Sequence, residues 1–454
     1  MNNERGFGSK LGYILSMAAF SIGIGNLWKF PYVVGNNGGG AFIIVYLAAL
    51  IFIGLPCFIM EGTLGRTSQL SPMAGMRKLE GGKKTGWGAI GWAGAISMQL
   101  INGYAGMIIG GWTLAYVWKL LTGQLSGLDA DGIGATFGAV TSSWSTLFPT
   151  IICLVLLLLC LISGVKKGVE KVCSILLPAL LVILIGLAIY ANCLPGAFEG
   201  LKWYVTPDFS KINMSVISAA VVQVFFSVGV GMCCAFVYGS YIKKDTNLVG
   251  SLGTAALMDT GAALLSGFVC VPALFAFGIE PSAGPSLIFV TLPNLFNAMG
   301  GFGRWFGLLF MLCVFAAGFT SMLGGAEAVV ACLTDSTKLS RVKAAVIVVV
   351  ALLVQNALTL SSFIGGPLAS FKCLNLGFFD FADFLSSGVG LSLGAVLIVA
   401  YVLIKWGWKK FQAEANEGST PGKAHLANWM KWYFLIVLPI LLLFAVYCII
   451  TTYI

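Results

Sequence analysis

The sequence predicts an all-α integral membrane protein of about eleven membrane-spanning helices, built as a five-plus-five inverted repeat with broken helices 1 and 6. Three observations predict it. Hydrophobic residues make up 58% of the 454-residue chain and charged ones only 9%, too few for a soluble globule of this size. Eleven stretches of about 20 predominantly apolar residues succeed one another. Two of those stretches, five spans apart, share a Ser-x-Gly-x-Gly string.

The candidate spans lie near 11–34, 40–62, 87–120, 146–164, 172–192, 215–240, 250–278, 304–333, 342–360, 384–405 and 428–451. Each is helical, because an open sheet cannot satisfy its backbone in hydrocarbon. The opening MNNERGFGSKLGYILSM runs into a long Gly-rich span with no small-residue cleavage site, so the first helix is expected to stay in the mature protein. The inside connections around 65–86 and 405–427 are too short for a soluble domain. One polytopic domain over 1–454 is expected, with repeat one at about 10–192, repeat two at about 215–405 and an additional helix at about 428–451.

Charge sets the orientation. With the N-terminus in the cytoplasm, 20 of the 26 basic residues fall in inside segments, which fits the positive-inside rule and leaves the C-terminus outside. The net charge of +9 then needs no nucleic-acid partner; the lipid bilayer of a cell membrane accounts for it. Twelve cysteines are scattered with neither zinc spacing nor the clustering of a disulfide scaffold, and the adjacent Cys233 and Cys234 read as helix packing. The one histidine, His425, sits in an inside connection where no Ser-His or Cys-His nucleophile can be assembled, so no enzyme is expected.

Span one contains AFSIGIGNLW and span six FFSVGVGMCC. Five is odd, so the two copies cross in opposite directions, as in many secondary transporters. Glycine weakens a helix by about 1 kcal/mol relative to alanine, so Gly23 with Gly25, and Gly229 with Gly231, mark places where the spans can unwind. A Gly-x-Gly pair can also serve only to let helices approach closely. Matched positions in both halves favour unwinding, and unwound backbone at that depth must line a cavity.

A broken helix pair exposes N–H ends that attract a carboxylate and carbonyl ends that attract a cation, which predicts a zwitterion site with sodium nearby. Hard cations prefer oxygen ligands, and Asn26, Ser227, Thr320 and Ser321 stand near the breaks. Asp259 lies inside span seven, where an ionisable residue is functional by default. Glu61, at the end of span two, reads as a structural anchor. The bland reading of Thr320 and Ser321 is a hydrogen bond back to the preceding helical turn.

Through SIGIGNLWKFPY, NNGGGAF, QVFFSVGVG, AGPSLIFVTLP and AGFTS the chain resembles, over essentially its whole length, the neurotransmitter:sodium symporters, especially their eleven-span bacterial amino-acid members. The resemblance implies a sodium-coupled importer of amino acids with two sodium sites. Sodium one would take the Ser21 carbonyl, Asn26, Ser227, Asp259 and the substrate carboxylate. Sodium two would take carbonyls of Ala19, Ile22 and Ala317 with the hydroxyls of Thr320 and Ser321. Chloride-dependent relatives have Asn at the Asp259 position and Ser four residues on, where this chain has Ala263, so chloride independence is expected.

The same resemblance implies that Gly23, where monoamine carriers have aspartate, leaves room for the substrate carboxylate. Phe226, Gly229, Met232 and Gly325 would form the pocket walls with Ser21, Gly25, Ser227 and Ser321, and the glycines would admit a bulky apolar or aromatic amino acid. Relatives place a tyrosine six residues before the counterpart of Trp112; here that position is Gly106, and the nearest tyrosine is Tyr104. Gates would be Lys29 with Asp383 outside and Arg5 with Asp335 inside. The rival implied by the altered tyrosine position is a non-transporting amino-acid sensor of the same fold, or a symporter for a non-standard amino-acid-like solute.

Overall fold

A computed structural model describes residues 6–278, 287–337, 339–420 and 424–453. Among the described residues, eight helices are long and apolar enough to cross a membrane: Gly40–Ser68, Trp144–Ile162, Val165–Asn192, Leu248–Ala276, Gly300–Ser336, Arg341–Phe363, Phe378–Trp406 and Met430–Cys448. The pair Lys10–Ser21 and Gly25–Asn36, bent by 52° at its break, is a ninth. Ala89–Gly106, Met107–Thr113 and Leu114–Thr122 run on as one rod, and Met214–Val228 with Cys234–Ser240 form a second broken pair. We number these eleven rods span one to span eleven in chain order; the breaks fall in spans one and six.

Polar caps start several of them. Ser9, Asn213, Asn247 and Ser340 each accept a backbone N–H from the first turn of spans one, six, seven and nine. Spans seven and eight form the enclosed centre, with 67% of their most apolar stretch buried, against 33% for spans four and five and 28% for span eleven. The last three therefore present their apolar side chains outward, where hydrocarbon satisfies them.

Two kinds of difference separate these elements from the apolar runs. Span two continues to Ser68 rather than ending near 62, because its polar end is enclosed: Arg66 is fully buried and donates to Glu414 at 3.2 Å, to the Thr246 carbonyl at 2.9 Å and to the Glu417 carbonyl at 3.1 Å. Hydropathy alone stops at the first charge. The connections also hold short helices, Pro72–Leu79, Ala130–Thr141, Ala197–Val205, Leu292–Ala298 and Trp408–Asn416, each below membrane-spanning length. All twelve cysteines are free, and Cys233 packs with its thiol donating to the Ile90 carbonyl at 3.3 Å.

Candidate functional site

Span one stops at Ile22, whose backbone turns extended (φ −74°, ψ 93°), and resumes with a π-helical turn at Gly25–Lys29. The break is therefore at Ile22 and Gly23, while Gly25 belongs to the resumed helix. Both glycines are needed for approach: a Cβ at Gly23 would lie 2.9 Å from the Ser321 hydroxyl, and one at Gly25 would lie 2.7 Å from the Phe226 ring.

Span six is interrupted from Gly229 to Cys233, with left-handed backbone at Gly229 (φ 73°), Gly231 (φ 80°) and Cys233 (φ 60°). Two of these are glycines, for which that region carries no Cβ penalty. The freed N–H groups are taken by Glu61, which accepts from Gly231 at 3.0 Å and from Phe236 at 3.4 Å. Glu61 thus stands where a structural anchor of the second break would stand.

Asp259 joins the two breaks. Its buried carboxylate accepts from the Asn26 amide at 2.7 Å and from the Ser227 hydroxyl at 2.8 Å, so one residue beyond the first break and one just before the second share its two oxygens. Gly23 N donates to Asn26 Oδ1 at 3.3 Å, which turns that amide oxygen toward the break. Close by, the Thr320 hydroxyl lies 3.1 Å from the carbonyls of both Ala19 and Ala317, tying span eight to the end of the first half-helix. Neutral oxygens thus gather in two groups, one beside the Asp259 carboxylate and one around Thr320, and oxygen is the donor that hard cations take. Among the described residues no group of His, Cys, Asp and Glu could hold a metal ion.

Between the breaks lies a cavity of about 50 Å³. Ser21, Gly23, Gly25, Asn26, Ser227 and Ser321 form its polar side. Its apolar side comes from Phe226, Met232 and residues the sequence reading missed, notably Met98, Ile101, Ile109 and Met322. Asn102 places one amide there, donating to the Met322 carbonyl at 3.3 Å. A second cavity of about 200 Å³ adjoins it; Ile24, Gly25, Ala105 and Phe226 line both and so divide them. A larger one of about 810 Å³ lies against spans three and four, near the exposed Trp118 and Phe148; Lys119 is its only charged lining residue.

Several expected site residues stand elsewhere. Gly106 faces span nine, where a Cβ would meet the Asn356 amide at 2.9 Å, and Tyr104 lines the second cavity instead of the first. The stripe of span three that faces the site is Met98, Ile101, Asn102, Ala105 and Ile109, a helical spacing that turns the residues on either side of Ala105 away by roughly 100° each. Gly229 and Gly325 do not enlarge the site: a Cβ at Gly229 would meet the Phe20 ring at 2.7 Å, and one at Gly325 would collide with the Met98 methyl. Their room is already filled.

Three of the four expected gate residues, Lys29, Asp383 and Asp335, fall among the described residues. Lys29 and Asp383 both line the second cavity, but the Lys29 ammonium sits over the Phe226 ring at 4.9 Å while Asp383 accepts from the Tyr104 hydroxyl at 2.7 Å. Asp335 accepts from Ser71 N at 2.7 Å; Arg5 lies outside the described residues. Nearby, Arg341 grips Glu327 with two bonds, at 3.0 and 2.5 Å, and the Tyr241 hydroxyl donates to the same carboxylate at 3.0 Å. Glu327 interrupts the apolar run of span eight, so the rule that singled out Asp259 also reaches it.

A sequence model of the sodium:neurotransmitter symporter family matches residues 4–132 and 129–454. An uncharacterized sodium-dependent transporter of Bacillus subtilis, YhdH, is 32% identical over 96% of both chains. The sodium-dependent serotonin transporter of Drosophila melanogaster is 28% identical over 92% of this chain and 72% of its own. The crystal structure of MhsT in complex with L-phenylalanine superposes with a TM-score of 0.86 at 34% identity, covering 98% of this chain and 99% of that one. With two broken helices converging on one carboxylate and matches along its whole length, the chain belongs to the sodium:neurotransmitter symporter family, as a sodium-dependent membrane transporter and not an enzyme.

Proposed function

We propose that the protein is a sodium-coupled symporter that imports apolar L-amino acids by alternating access, independently of chloride. The observation that carries this reading is Asp259, whose carboxylate is shared by Asn26 and Ser227 beside a cavity walled by both half-helix pairs. Sodium one takes Asp259, Asn26, Ser227 and the Ser21 carbonyl, and completes its shell with the substrate carboxylate. Ion and substrate are then coupled by direct contact. Sodium two takes the carbonyls of Ala19, Ile22 and Ala317 with the hydroxyls of Thr320 and Ser321.

Gly23 and Gly25 leave the substrate carboxylate room against the first break, and Tyr104 acts in the outer gate with Asp383 and Lys29. The side-chain end is apolar but small as it stands, about 50 Å³ for the whole cavity. Met98, Met232 and Met322 line it, and unbranched thioethers shift easily to admit a larger side chain. The phenylalanine held by MhsT supports the same class of ligand. The chain forms one polytopic unit in a plasma membrane, and the distribution of basic residues supports an N-terminal side in the cytoplasm.

The experiment is thermal stabilisation of the purified protein by each of the twenty amino acids, in sodium and in potassium. Stabilisation by a few bulky apolar amino acids in sodium alone is expected, since a ligand that binds only the native state raises its apparent stability. Stabilisation by none would overturn the substrate class. Binding without counterflow in liposomes would favour the sensor. Replacing chloride by gluconate leaves uptake unchanged if the fixed Asp259 charge does the work of that anion.

A further inference from the structure

We propose that Glu170 of span five is a latch that holds the first half of span one closed, and that its release lets this half-helix swing away and open the cytoplasmic side of the site. The inference rests on the alternating-access reading above. Glu170 closes a π-helical stretch, Val165–Glu170, and is buried against the start of span one. Its Oε2 accepts from Gly8 N at 2.6 Å and its Oε1 from the Ser9 hydroxyl at 3.1 Å. Ser9 in turn accepts Gly12 N at 2.8 Å and caps the helix Lys10–Ser21. A carboxylate so placed meets both the unpaired N–H groups and the positive end of the half-helix dipole.

Gly12 is shaped for this contact, because a Cβ there would fall inside the Glu170 carboxyl group. A further contact on this side is aromatic: Phe7 packs edge-on against Tyr13 and Tyr238, each at 5.4 Å. Such contacts slide, whereas charge-assisted hydrogen bonds hold one geometry. The half-helix is hinged at its far end by the break at Ile22 and Gly23, and the Ala19 carbonyl next to that hinge is bonded to Thr320. An ion at Thr320 and the latch at Glu170 therefore fasten the two ends of one short rod.

The chain carries its own reporter. Cys173, one turn along span five from Glu170, is fully buried beside Ser16 of span one, and it is uncovered when the half-helix leaves. The test is N-ethylmaleimide labelling of the full chain in sodium, with the modified residue assigned by mass spectrometry.

Glu170→Ala and Glu170→Gln are expected to label at Cys173 about tenfold faster than the native chain, the order of change that loss of charge-assisted hydrogen bonds produces. Gly12→Ala is expected to speed labelling in the native background and to add nothing in Glu170→Ala, which separates a latch from general loosening. Labelling at the native rate in both Glu170 variants overturns the proposal. Sodium-driven uptake by the native chain tests the transport reading separately: uptake with unchanged labelling removes the latch alone, and faster labelling without uptake removes the transport reading and leaves Glu170 only as the fastener of the half-helix.

Discussion

In span one the helix is interrupted for two residues, Ile22 and Gly23, and in span six for five, from Gly229 to Cys233. The shorter break is stitched by neutral groups: Gln223 donates to the Gly25 carbonyl at 3.1 Å and Ser266 to the Asn26 carbonyl at 2.5 Å. The longer one is clamped by a buried carboxylate, Glu61, on the N–H groups of Gly231 and Phe236. Gly23 and Gly25 line the site, while Gly229 and Gly231 are turned into packing against Phe20 and the Leu391 carbonyl. The same string repeated in sequence thus divides its labour: the first break lines the central cavity, and the second is a braced bend whose neighbours Phe226, Ser227 and Met232 do the lining.

Asp259→Ala cuts the one residue both breaks share and has the largest expected effect. It removes the carboxylate that Ser227 and Asn26 share and leaves Asn26 only the backbone carbonyl of residue 259, 3.0 Å from its amide, and sodium-dependent substrate affinity should fall about 100-fold or more, as when one partner of a buried charge network is removed. Equilibrium binding of the stabilising amino acid in sodium and in potassium measures it. Affinity within a few-fold of native would mean that the breaks are coupled elsewhere.

Glu61→Ala sharpens the comparison from the other side. Two buried N–H groups lose their acceptor, at about 1–3 kcal/mol each, so melting should fall by the same amount in sodium and in potassium. Ser266→Ala removes a single bond at the first break, worth about 1 kcal/mol. A Glu61 variant that lost sodium dependence but not stability would reverse the roles assigned to the two breaks. Thr320→Val, which keeps the side-chain shape, should raise the sodium concentration for half-maximal binding by about tenfold, in line with loss of a hydrogen-bonding oxygen at a charged site.

The breaks, the five-span offset and Asp259 were legible because each is a local violation of what a lipid-facing helix tolerates: paired glycines, or a charge in mid-span. The same rule reaches Glu327, which the sequence reading passed over. What could not be read was the facing of span three. Counting six residues back from Trp112 lands on Gly106, but the count runs through the π-helical stretch Met107–Thr113, whose wider turn shifts the register. Pocket size was equally hidden, since Gly229 and Gly325 leave room only if Phe20 and Met98 do not take it.

Met98→Ala has the smallest expected effect and tests the division of labour most finely. Met98 lines the apolar side of the cavity and fills the space that Gly325 leaves, while the groups around Asp259 lie on the polar side. Removing the thioether should therefore change shape and leave chemistry alone. The ratio of affinities for tryptophan and leucine should rise about three- to tenfold, the range expected when a few apolar heavy atoms are removed from a pocket wall, with the sodium dependence unchanged. Competition binding at fixed sodium reads the ratio. An unchanged ratio would place the side-chain end away from span three, and a changed sodium dependence would show that shape and ion binding are not separable here, so that the first break does not hold the chemistry alone.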